Sequence, residues 1–489
     1  MMQAPSREHR SDLALALGCA LLAVVTYLPA IAASFQFDDW GVIVADTRVQ
    51  SLAAWAASMP GVRPLLKLTY ALNHELGASP VGFRGFNIAV HALNTAIVYT
   101  LLHGLGTKQG RDTASARLAA LVGALLFALL PVQTEAVTYL SGRSTALAAT
   151  FALASLLFWV RSLEPPRPRS LRLLSAALFA LALGVKETVI VLPLALLLWR
   201  TVARSAEPTP SSLPRARRAR AALAETALHF ALAGLAIVLA LAWPPYRRLL
   251  DVSVQARGIG INLLTQADAV LWLAGQMLCL APINPDPMLP VAGALSGASW
   301  LRAALILATV VAAFWQLRRK PALAFGLLWF FLWLLPTNSL LPRLDVANDR
   351  QLYLALIGPA WLAGLALARL AGRGDGLAAR WQAIAAAVVL AALVGGAAFA
   401  TLRQNRIYAS EVTFWEAVAR RTPASARAAN NLGFAYALAC RAPDAAREFE
   451  RAARLDPSGV RARVNARLLR EGALPAGAAQ GECARPVPN

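Results

Sequence analysis

Charged residues at the ends of long apolar segments are the part of this sequence that could carry out chemistry. Asp38 and Asp39 stand side by side just after the first apolar segment, where the chain is expected to leave the bilayer. Charge at the edge of the hydrocarbon is costly, and where it occurs it is usually functional. Further charged residues fall at the same predicted face of the membrane, namely Arg63, Glu135, Arg143, Lys186, Glu187, Asp349 and Arg350.

Carboxylates and cations gathered on one face suit the displacement of an anionic leaving group by a hydroxyl. A carboxylate can take the proton from the hydroxyl, and cations can hold a leaving group such as a phosphate. Adjacent side chains point in different directions, so only one of Asp38 and Asp39 can be the base. The other would bind a divalent ion or orient an arginine. The alternative is a layer of ion pairs that caps the helices and has no catalytic role.

Apolar segments that must position these residues recur along most of the chain. Of its 489 residues, 58% are hydrophobic and 15% are charged, whereas about a quarter of a soluble domain is charged. We therefore predict an all-α polytopic membrane protein with about eleven spans of bilayer length. The predicted spans are 13–33, 83–105, 118–131, 146–160, 173–185, 188–198, 221–243, 300–317, 323–336, 352–370 and 381–402.

The segment 263–281 is apolar but is interrupted by polar residues. A single crossing there would place the basic cluster Arg318-Arg319-Lys320 outside, against the positive-inside rule. We therefore expect this segment to re-enter the membrane or to lie in its interface. The chain then begins inside and ends outside, with the basic loops 161–172 and 200–220 in the cytoplasm.

The positive-inside rule also explains the net charge of +21, because Arg is concentrated in loops and in the C-terminal part. No basic patch alternates with exposed aromatic residues, so nucleic acid is set aside as a partner, and contact with anionic lipid is a secondary effect. Ala30-Ile31-Ala32 resembles a signal-peptide cleavage site. The apolar segment before it is longer than the roughly 7–15 residues of a signal peptide, which favours an uncleaved first span.

Three regions follow from these patterns. Residues 1–402 form the membrane domain, and its external loop 34–82 carries the acidic pair. In that loop Leu65, Leu68, Leu72 and Leu76 fall on one helical stripe, which predicts an amphipathic helix along the membrane face. Residues 403–471 form a helical domain, and residues 472–489 are predicted to be disordered.

The helical domain has the residue spacing of one tetratricopeptide (TPR) repeat. The residues that carry this pattern are Leu432, Gly433, Tyr436, Ala445, Phe449, Ala452 and Pro457. One period of roughly 34 residues earlier, Trp415 matches Phe449, so 411–421 is predicted to be the second helix of a preceding repeat. So few repeats are marginal alone, and the tail is expected to dock on the membrane domain or on a partner protein. Cys440 and Cys483 could pair if the tail is periplasmic; the sequence leaves this open.

The motifs together resemble the transmembrane-and-TPR family of O-mannosyltransferase-like proteins and its bacterial relatives, which are glycosyltransferases of the GT-C fold. The resemblance covers nearly the whole chain and rests on Phe37-Asp38-Asp39, Arg63-Pro64-Leu65, Phe86-Asn87 with His91, Pro131-Val132-Gln133-Thr134-Glu135-Ala136-Val137, Ser141-Gly142-Arg143 and Lys186-Glu187. The turn departs from the family, which often has His where this chain has Leu130 and Gln133. The tail is also shorter than in the animal members.

This resemblance implies a GT-C-like helical bundle that transfers a sugar, with inversion, from a polyprenyl-phosphate donor to a periplasmic protein or glycan. It implies a bacterial inner-membrane protein whose site and tail face the periplasm. Asp38 and Asp39 are the implied catalytic residues, and Asp38 is favoured as the base because the family's acidic motif is anchored there. The implied substrate contacts are Arg63, His91, Glu135, Arg143, Lys186, Glu187, Asp349 and Arg350. A divalent metal ion is a possible cofactor.

Some alternatives stay open at this stage. His91 lies in an apolar segment between Asn87 and Asn94, which fits a packed, hydrogen-bonded residue better than a metal ligand. A transporter of lipid-linked sugars would need charges at the middle of the membrane, whereas here they cluster at its edges. A non-catalytic scaffold with a partner-binding tail would not need the acidic pair.

Overall fold

The computed structural model describes residues 7–59, 61–166, 168–203, 215–293, 296–372 and 376–473. These residues contain α-helices and short 3-10 and π turns, and no β-strand is present among them. The helices are α1 (Arg7–Tyr27), α2 (Leu52–Ala57), α3 (Pro64–Glu75), α4 (Pro80–Lys108), α5 (Thr113–Leu129), α6 (Thr134–Val137), α7 (Arg143–Ser162), α8 (Arg169–Val185), α9 (Leu192–Ala203), α10 (Arg215–Ala242), α11 (Pro244–Ala256), α12 (Ile259–Met277), α13 (Gly297–Gln316), α14 (Pro321–Leu334), α15 (Leu352–Ala355), α16 (Ile357–Leu370), α17 (Leu377–Asn405), α18 (Glu411–Arg421), α19 (Ala426–Leu438), α20 (Ala442–Leu455) and α21 (Val460–Arg470).

Several of these helices are long and apolar enough to cross a bilayer, which makes the chain a multi-pass membrane protein. Six described segments meet this condition, and two bent helix pairs raise the number to eight. The predicted count of about eleven is therefore not confirmed. The shortfall comes from α8, α9 and α14, which have 17, 12 and 14 residues, whereas a crossing needs about 20. How α12, on the segment 263–281, sits in the membrane stays a prediction.

The centre of the membrane domain is built by α4, α5, α7 and α16. Close helix packing depends on small residues where backbones approach each other. A side chain at Gly364 of α16 would collide with the carbonyl of Ala119 on α5, and one at Gly358 would collide with the carbonyl of Gly326 on α14. Glycine is therefore required at both crossings.

Two bends bring charged residues to one end of this bundle. The chain turns by 51° between α5 and the segment that begins at Pro131, because proline cannot continue a helix. It turns by 57° between α15 and α16. The first bend carries Glu135 on α6, and the second carries Arg350 in the turn before α15. The backbone N–H of Arg350 donates to Glu135 Oε2 at 3.1 Å, which joins the two bent segments.

The external loop contains the helix that the leucine spacing predicts, as α3. Pro64 is its first residue, and Arg63 caps it with a left-handed backbone, at φ 53°. Leu66, Tyr70 and Ala71 are its buried side. The predicted stripe is exposed at its end, where Leu72 is 43% and Leu76 is 85% exposed, whereas Leu65 at its start packs against the core. Its contact with the membrane face stays a prediction.

The tail consists of α18 to α21, and α18 has the bounds that the sequence predicts. Phe449 on α20 is fully buried, and its ring occupies the space that a side chain at Gly433 on α19 would need. These are the contacts that the repeat spacing predicts, although the TPR assignment itself stays an interpretation. Residues 474–489, most of the stretch predicted to be disordered, lie outside the described residues, and so does Cys483.

The tail docks on the membrane domain. The rings of Phe37 and Trp415 meet edge to face with 5.2 Å between their centroids. Arg427 on α19 forms ion pairs with Asp286 at 2.9 Å and with Asp345 at 3.1 Å. No sharp border separates the two domains, because α17 continues past residue 402 to Asn405.

Candidate functional site

The acidic pair divides into one buried and one exposed carboxylate. Asp39 is fully buried and accepts hydrogen bonds from the backbone N–H of Gln36 at 3.0 Å and from the N–H and hydroxyl of Ser141 at 2.8 and 2.5 Å. Burial raises the pKa of Asp39 to about 6, against the opposing effect of these hydrogen bonds. Asp39 therefore ties the external loop to the turn after α6. Asp38 is exposed, and its N–H donates to the hydroxyl of Tyr139 at 3.0 Å.

A buried arginine that the sequence analysis missed holds the other side of this loop. Arg84, in the first turns of α4, donates to the carbonyl oxygens of Ile31, Ala33 and Ser34, a few residues after α1, and to that of Thr138. The backbone that carries the exposed Asp38 is therefore held by the hydrogen bonds of Asp39 and of Arg84.

Asp38 lines a cavity of about 260 Å³ between the membrane domain and the tail. Four carboxylates and three guanidinium groups line it together with aromatic and aliphatic side chains. The charged lining residues are Asp38, Glu135, Asp286, Asp345, Arg257, Arg350 and Arg427. This mixture of a solvent-accessible carboxylate and fixed cations is the chemistry that the sequence predicts for the site.

Glu135 and Arg350 form the inner wall of the cavity. Glu135 accepts the backbone N–H of Arg350, and the side-chain Nε of Arg350 lies 3.4 Å from Glu135 Oε1. The guanidinium group is thereby oriented while it still faces the cavity. The neighbouring Asp349 is fully buried and does not line the cavity, and within the described residues its carboxylate oxygens have no hydrogen-bond partner. A contact between Asp349 and substrate stays a prediction.

A cluster of cations lies beside the cavity at the turn between α8 and α9. Arg63 is paired with Glu187 through two hydrogen bonds of 3.0 and 2.5 Å. Lys186 donates to the hydroxyl of Thr145 at 2.7 Å. Burial lowers the pKa of Lys186 well below its usual range, and the positive charges of Arg63, Arg350 and Arg343 lower it further. These cations repel one another, so an anion placed among them would be stabilised.

Two further predicted contact residues are hydrogen-bonded inside the helix bundle. Both ring nitrogens of His91 are bonded inside the bundle, to the Tyr353 hydroxyl at 2.8 Å and to the Ala128 carbonyl at 3.1 Å. Arg143 is fully buried, and it donates to Asn87 Oδ1 at 2.8 Å and to the Phe83 carbonyl at 2.9 Å. Neither side chain lines the cavity, and their assignment as substrate contacts stays a prediction.

Most residues of the outer wall of the cavity belong to no motif that could be recognised in the sequence. Asp286 stands between two prolines in an irregular loop and is 6% exposed, and its Oδ2 has no hydrogen-bond partner among the described residues. Burial raises the pKa of Asp286 to about 6, although Arg427 opposes this. Asn348 also lines the cavity, with both polar side-chain atoms unpaired in the described part of the chain. Buried polar atoms without partners mark positions where a ligand can bind.

The divalent ion that the resemblance implies stays a prediction. Within the described ranges, no group of three or more His, Cys, Asp or Glu side chains lies close enough together to hold a metal ion.

A multi-pass helical membrane protein with an acidic and cationic cavity at one face is therefore the class that the fold and site define. The predicted family resemblance is confirmed by sequence similarity to protein O-mannosyl-transferases, over about a third of the chain and not over nearly all of it. The chain is 30% identical over 207 residues to Tmtc2 of Drosophila melanogaster, which covers 38% of this chain and 21% of that protein. It is 32% identical over 194 residues to TMTC4 of Homo sapiens, which covers 34% of this chain and 26% of that protein.

The chain thus spans about a fifth to a quarter of the length of these curated relatives. No family model matches it. Among solved structures, it is similar to an archaeal oligosaccharyltransferase from Archaeoglobus fulgidus in complex with an inhibitory peptide and a dolichol-phosphate. That likeness has 13% sequence identity and a TM-score of 0.44 over 81% of this chain and 56% of that chain. The GT-C assignment stays a prediction.

Proposed function

We propose that this protein is a membrane glycosyltransferase that transfers a sugar from a polyprenyl-phosphate donor to a hydroxyl of a protein or glycan acceptor. The observation that carries the proposal is the exposed Asp38 carboxylate in one cavity with the Arg350 guanidinium, each held in place by buried neighbours. The similarity to proteins named as protein O-mannosyl-transferases supports the reaction class. The sugar itself is not specified by these residues.

In the proposed step the acceptor oxygen attacks the anomeric carbon of the sugar. The bond between that carbon and the phosphate oxygen breaks, and its electron pair leaves with polyprenyl phosphate. Asp38 takes the proton of the attacking hydroxyl. Arg350 faces the cavity and stabilises the charge that grows on the leaving oxygen. A single displacement of this kind inverts the configuration of the anomeric carbon.

The phosphate of the donor is assigned to the cations at the turn between α8 and α9. Lys186 is held near Arg63, Arg343 and Arg350, and Glu187 is the carboxylate paired there with Arg63. An additional anion in this position relieves the repulsion between the cations. A lipid-bound phosphate would reach the cluster from the membrane, while the acceptor enters from the water side past Asp38.

We place the cavity and the tail on the periplasmic side of a bacterial inner membrane. Cys440 is disulfide-bonded, and disulfides persist in oxidising compartments such as the periplasm. Alkaline phosphatase fused after Asn489 is expected to be active, and the same fusion within the loop 161–172 is expected to be inactive. The opposite pattern of activities would contradict this orientation.

The proposed reaction can be tested with the purified full-length protein in detergent micelles. Incubation with mannosyl-phosphoryl polyprenol and a mixture of Thr-containing peptide and oligosaccharide acceptors is expected to release polyprenyl phosphate in step with glycosylated product. Nuclear magnetic resonance of the product should show the opposite anomeric configuration to the donor. Retained configuration would contradict direct displacement by the acceptor. The same protein can be placed in lipid vesicles. Movement of intact donor across the vesicle membrane, without release of polyprenyl phosphate, would favour a transporter instead.

A further inference from the structure

An aromatic groove of about 390 Å³ lies between the acidic loop and the tail. Phe37 and Trp40 of the loop line it together with Trp415 of α18, and Trp40 is 44% exposed. Glu411 accepts hydrogen bonds from the ring nitrogens of Trp40 at 2.8 Å and Trp415 at 3.1 Å. It also accepts from the backbone N–H of Phe37 at 2.8 Å. This carboxylate fixes the rings and occupies both indole donors, so the groove offers a ligand mainly apolar ring surface.

The opposite wall of the aromatic groove is one stripe of α19. Asn431, Phe434 and Leu438 line it, and their spacing of three and four residues puts them on one side of the helix. Phe434 is 37% exposed and Leu438 is 41% exposed. The helix ends at Leu438, and Cys440 follows two residues later. The groove therefore runs along α19 towards Cys440.

A disulfide bond attaches another part of the chain at this end of the groove. Cys440 is disulfide-bonded, whereas Cys19 and Cys279 are free. The chain has four cysteines, so the remaining candidate for the partner of Cys440 is Cys483. That residue lies outside the described part of the chain.

The end of α21 lies in the right place for this pairing. Leu468 and Leu469, in its last turn, pack against the apolar cluster that contains Ala437 of α19. The end of α21 is therefore close to the end of α19. The ten residues from 474 to 483 can span up to about 33 Å when extended, which is ample for a return to Cys440.

The sequence after Cys483 favours an extended backbone. It reads Ala484-Arg485-Pro486-Val487-Pro488. Each proline fixes its own φ at about −65° and also restricts the residue before it to extended conformations. All four residues from 485 to 488 are therefore biased by their sequence towards polyproline II. Proline-rich segments of this kind bind in grooves lined by aromatic rings, because little entropy is left to lose.

We propose that residues 484–488 of this chain lie in the aromatic groove, attached at one end by a disulfide between Cys440 and Cys483. The lengths agree. The helical stripe from Asn431 to Cys440 measures about 13.5 Å at 1.5 Å per residue. Five residues of polyproline II measure about 15.5 Å at 3.1 Å per residue. The segment can therefore cover the groove from one end to the other.

In this arrangement the segment holds the acidic loop against the tail. Its proline rings pack between Trp40 on the loop and Phe434 on α19. The Oδ1 atom of Asn431 accepts a hydrogen bond from Asn430, so the amide of Asn431 keeps its N–H donors for a carbonyl of the segment. Polyproline II leaves its carbonyl oxygens without internal partners. The proposal does not depend on sugar transfer, so a protein without transferase activity would leave it standing.

Photo-cross-linking in the full-length protein tests where the segment lies. With p-benzoylphenylalanine in place of Phe434, irradiation is expected to form a link to residues 484–489, identified by mass spectrometry after reduction and digestion. The matched control carries the same group in place of Val460, a 62% exposed position of α21 outside the groove, and should not form this link. The proposal is wrong if the Phe434 position gives no link or if both positions give equal yields.

The role of the disulfide is tested by removing either cysteine. Cys440→Ser and Cys483→Ser should each lower the cross-linking yield several-fold, because the effective concentration of a tethered segment falls as roughly the −3/2 power of tether length. Cys279→Ser removes an exposed thiol that forms no disulfide and should leave the yield unchanged. Wild-type yields in both of the first two variants would overturn the proposed attachment.

The same contact can be rebuilt with a free peptide. A fluorescein-labelled peptide of residues 484–489 should bind a chain that lacks residues 482–489, as measured by fluorescence anisotropy. It should not bind the full-length chain, in which the attached segment competes at a millimolar effective concentration. Phe434→Ala in the shortened chain is expected to weaken binding roughly tenfold, as for an anchor residue at an interface. Equal binding to the two chains, or no effect of Phe434→Ala, would contradict the proposal.

Two other occupants of the groove would be recognised in the cross-linking experiment. Links between isotopically light and heavy copies of the chain would assign the groove to a second copy. Loss of the link after addition of an oligosaccharide would assign it to a glycan. Either result would overturn the proposal, whereas links confined to single copies and unchanged by the oligosaccharide would support it.

Discussion

Replacement of Asp38 by Asn is expected to lower the rate of sugar transfer roughly 10²–10⁴-fold, the usual contribution of a general base. Asn has nearly the same shape but cannot take the proton of the acceptor hydroxyl. The exposed side chain of Asp38 makes no buried contact that the change would break, so the protein should keep its thermal stability. The measurement is kcat for release of polyprenyl phosphate, together with a melting curve of the purified variant.

Two further variants separate a catalytic role of Asp38 from a structural one. Asp39→Asn replaces one of the oxygens that accept from Ser141 and Gln36 by an N–H donor, so this variant is expected to melt at a lower temperature. Asp251→Asn changes an exposed carboxylate of α11 that lies outside the cavity and should leave both quantities unchanged. Asp38 would be excluded as the base if Asp38→Asn transferred sugar at the wild-type rate. It would also be excluded if the transfer rate fell no more than in Asp251→Asn.

Replacement of Arg350 by Gln is expected to lower kcat roughly 10²–10³-fold, the effect of removing one group that stabilises charge in the transition state. Arg350 is the cation that both lines the cavity and lies close to Lys186. The loss should appear mainly in kcat, because the charge on the leaving oxygen grows as the bond breaks. A steady-state rate series over donor concentration separates kcat from KM.

The ion pair with Glu135 complicates this variant, because its loss leaves a buried carboxylate without its partner. The double variant Glu135→Gln with Arg350→Gln removes that charge, so its stability should recover while the transfer rate stays low. Arg48→Gln, in the external loop and paired with Asp46 away from the cavity, is the control. If the double variant regained transfer along with stability, Arg350 would be a structural residue only.

The parts of the site that could be predicted are those that short sequence motifs report. Glu135 lies shortly after Pro131, and Arg350 lies just before the predicted span 352–370. The structure brings the two residues together. The difference between Asp38 and Asp39 could not be predicted, because it depends on Ser141, about a hundred residues away in the chain. Nothing local to a pair of adjacent aspartates tells which carboxylate will be buried.

Arginines gave the least reliable predictions, because the same side chain suits a phosphate site and a helix-packing site. Arg143 stands at the start of α7, where a cation that faces the outside was expected. Instead, its guanidinium group stacks on the rings of Tyr70 and Phe86 at 4.8 and 4.5 Å and satisfies carbonyl oxygens. Arg427 was not singled out from the sequence, because its partners Asp286 and Asp345 lie far away in the chain.

The position of Arg427 means that the tail is a wall of the cavity and not an attached module. The same helix, α19, carries Asn431, which lines a second cavity together with Phe37 and Trp415. A tail exchanged for that of another protein would alter the charge and the shape of the space around Asp38. Attempts to build hybrid proteins from this chain should therefore place the junction after α19, or carry the partners of Arg427 along with the tail.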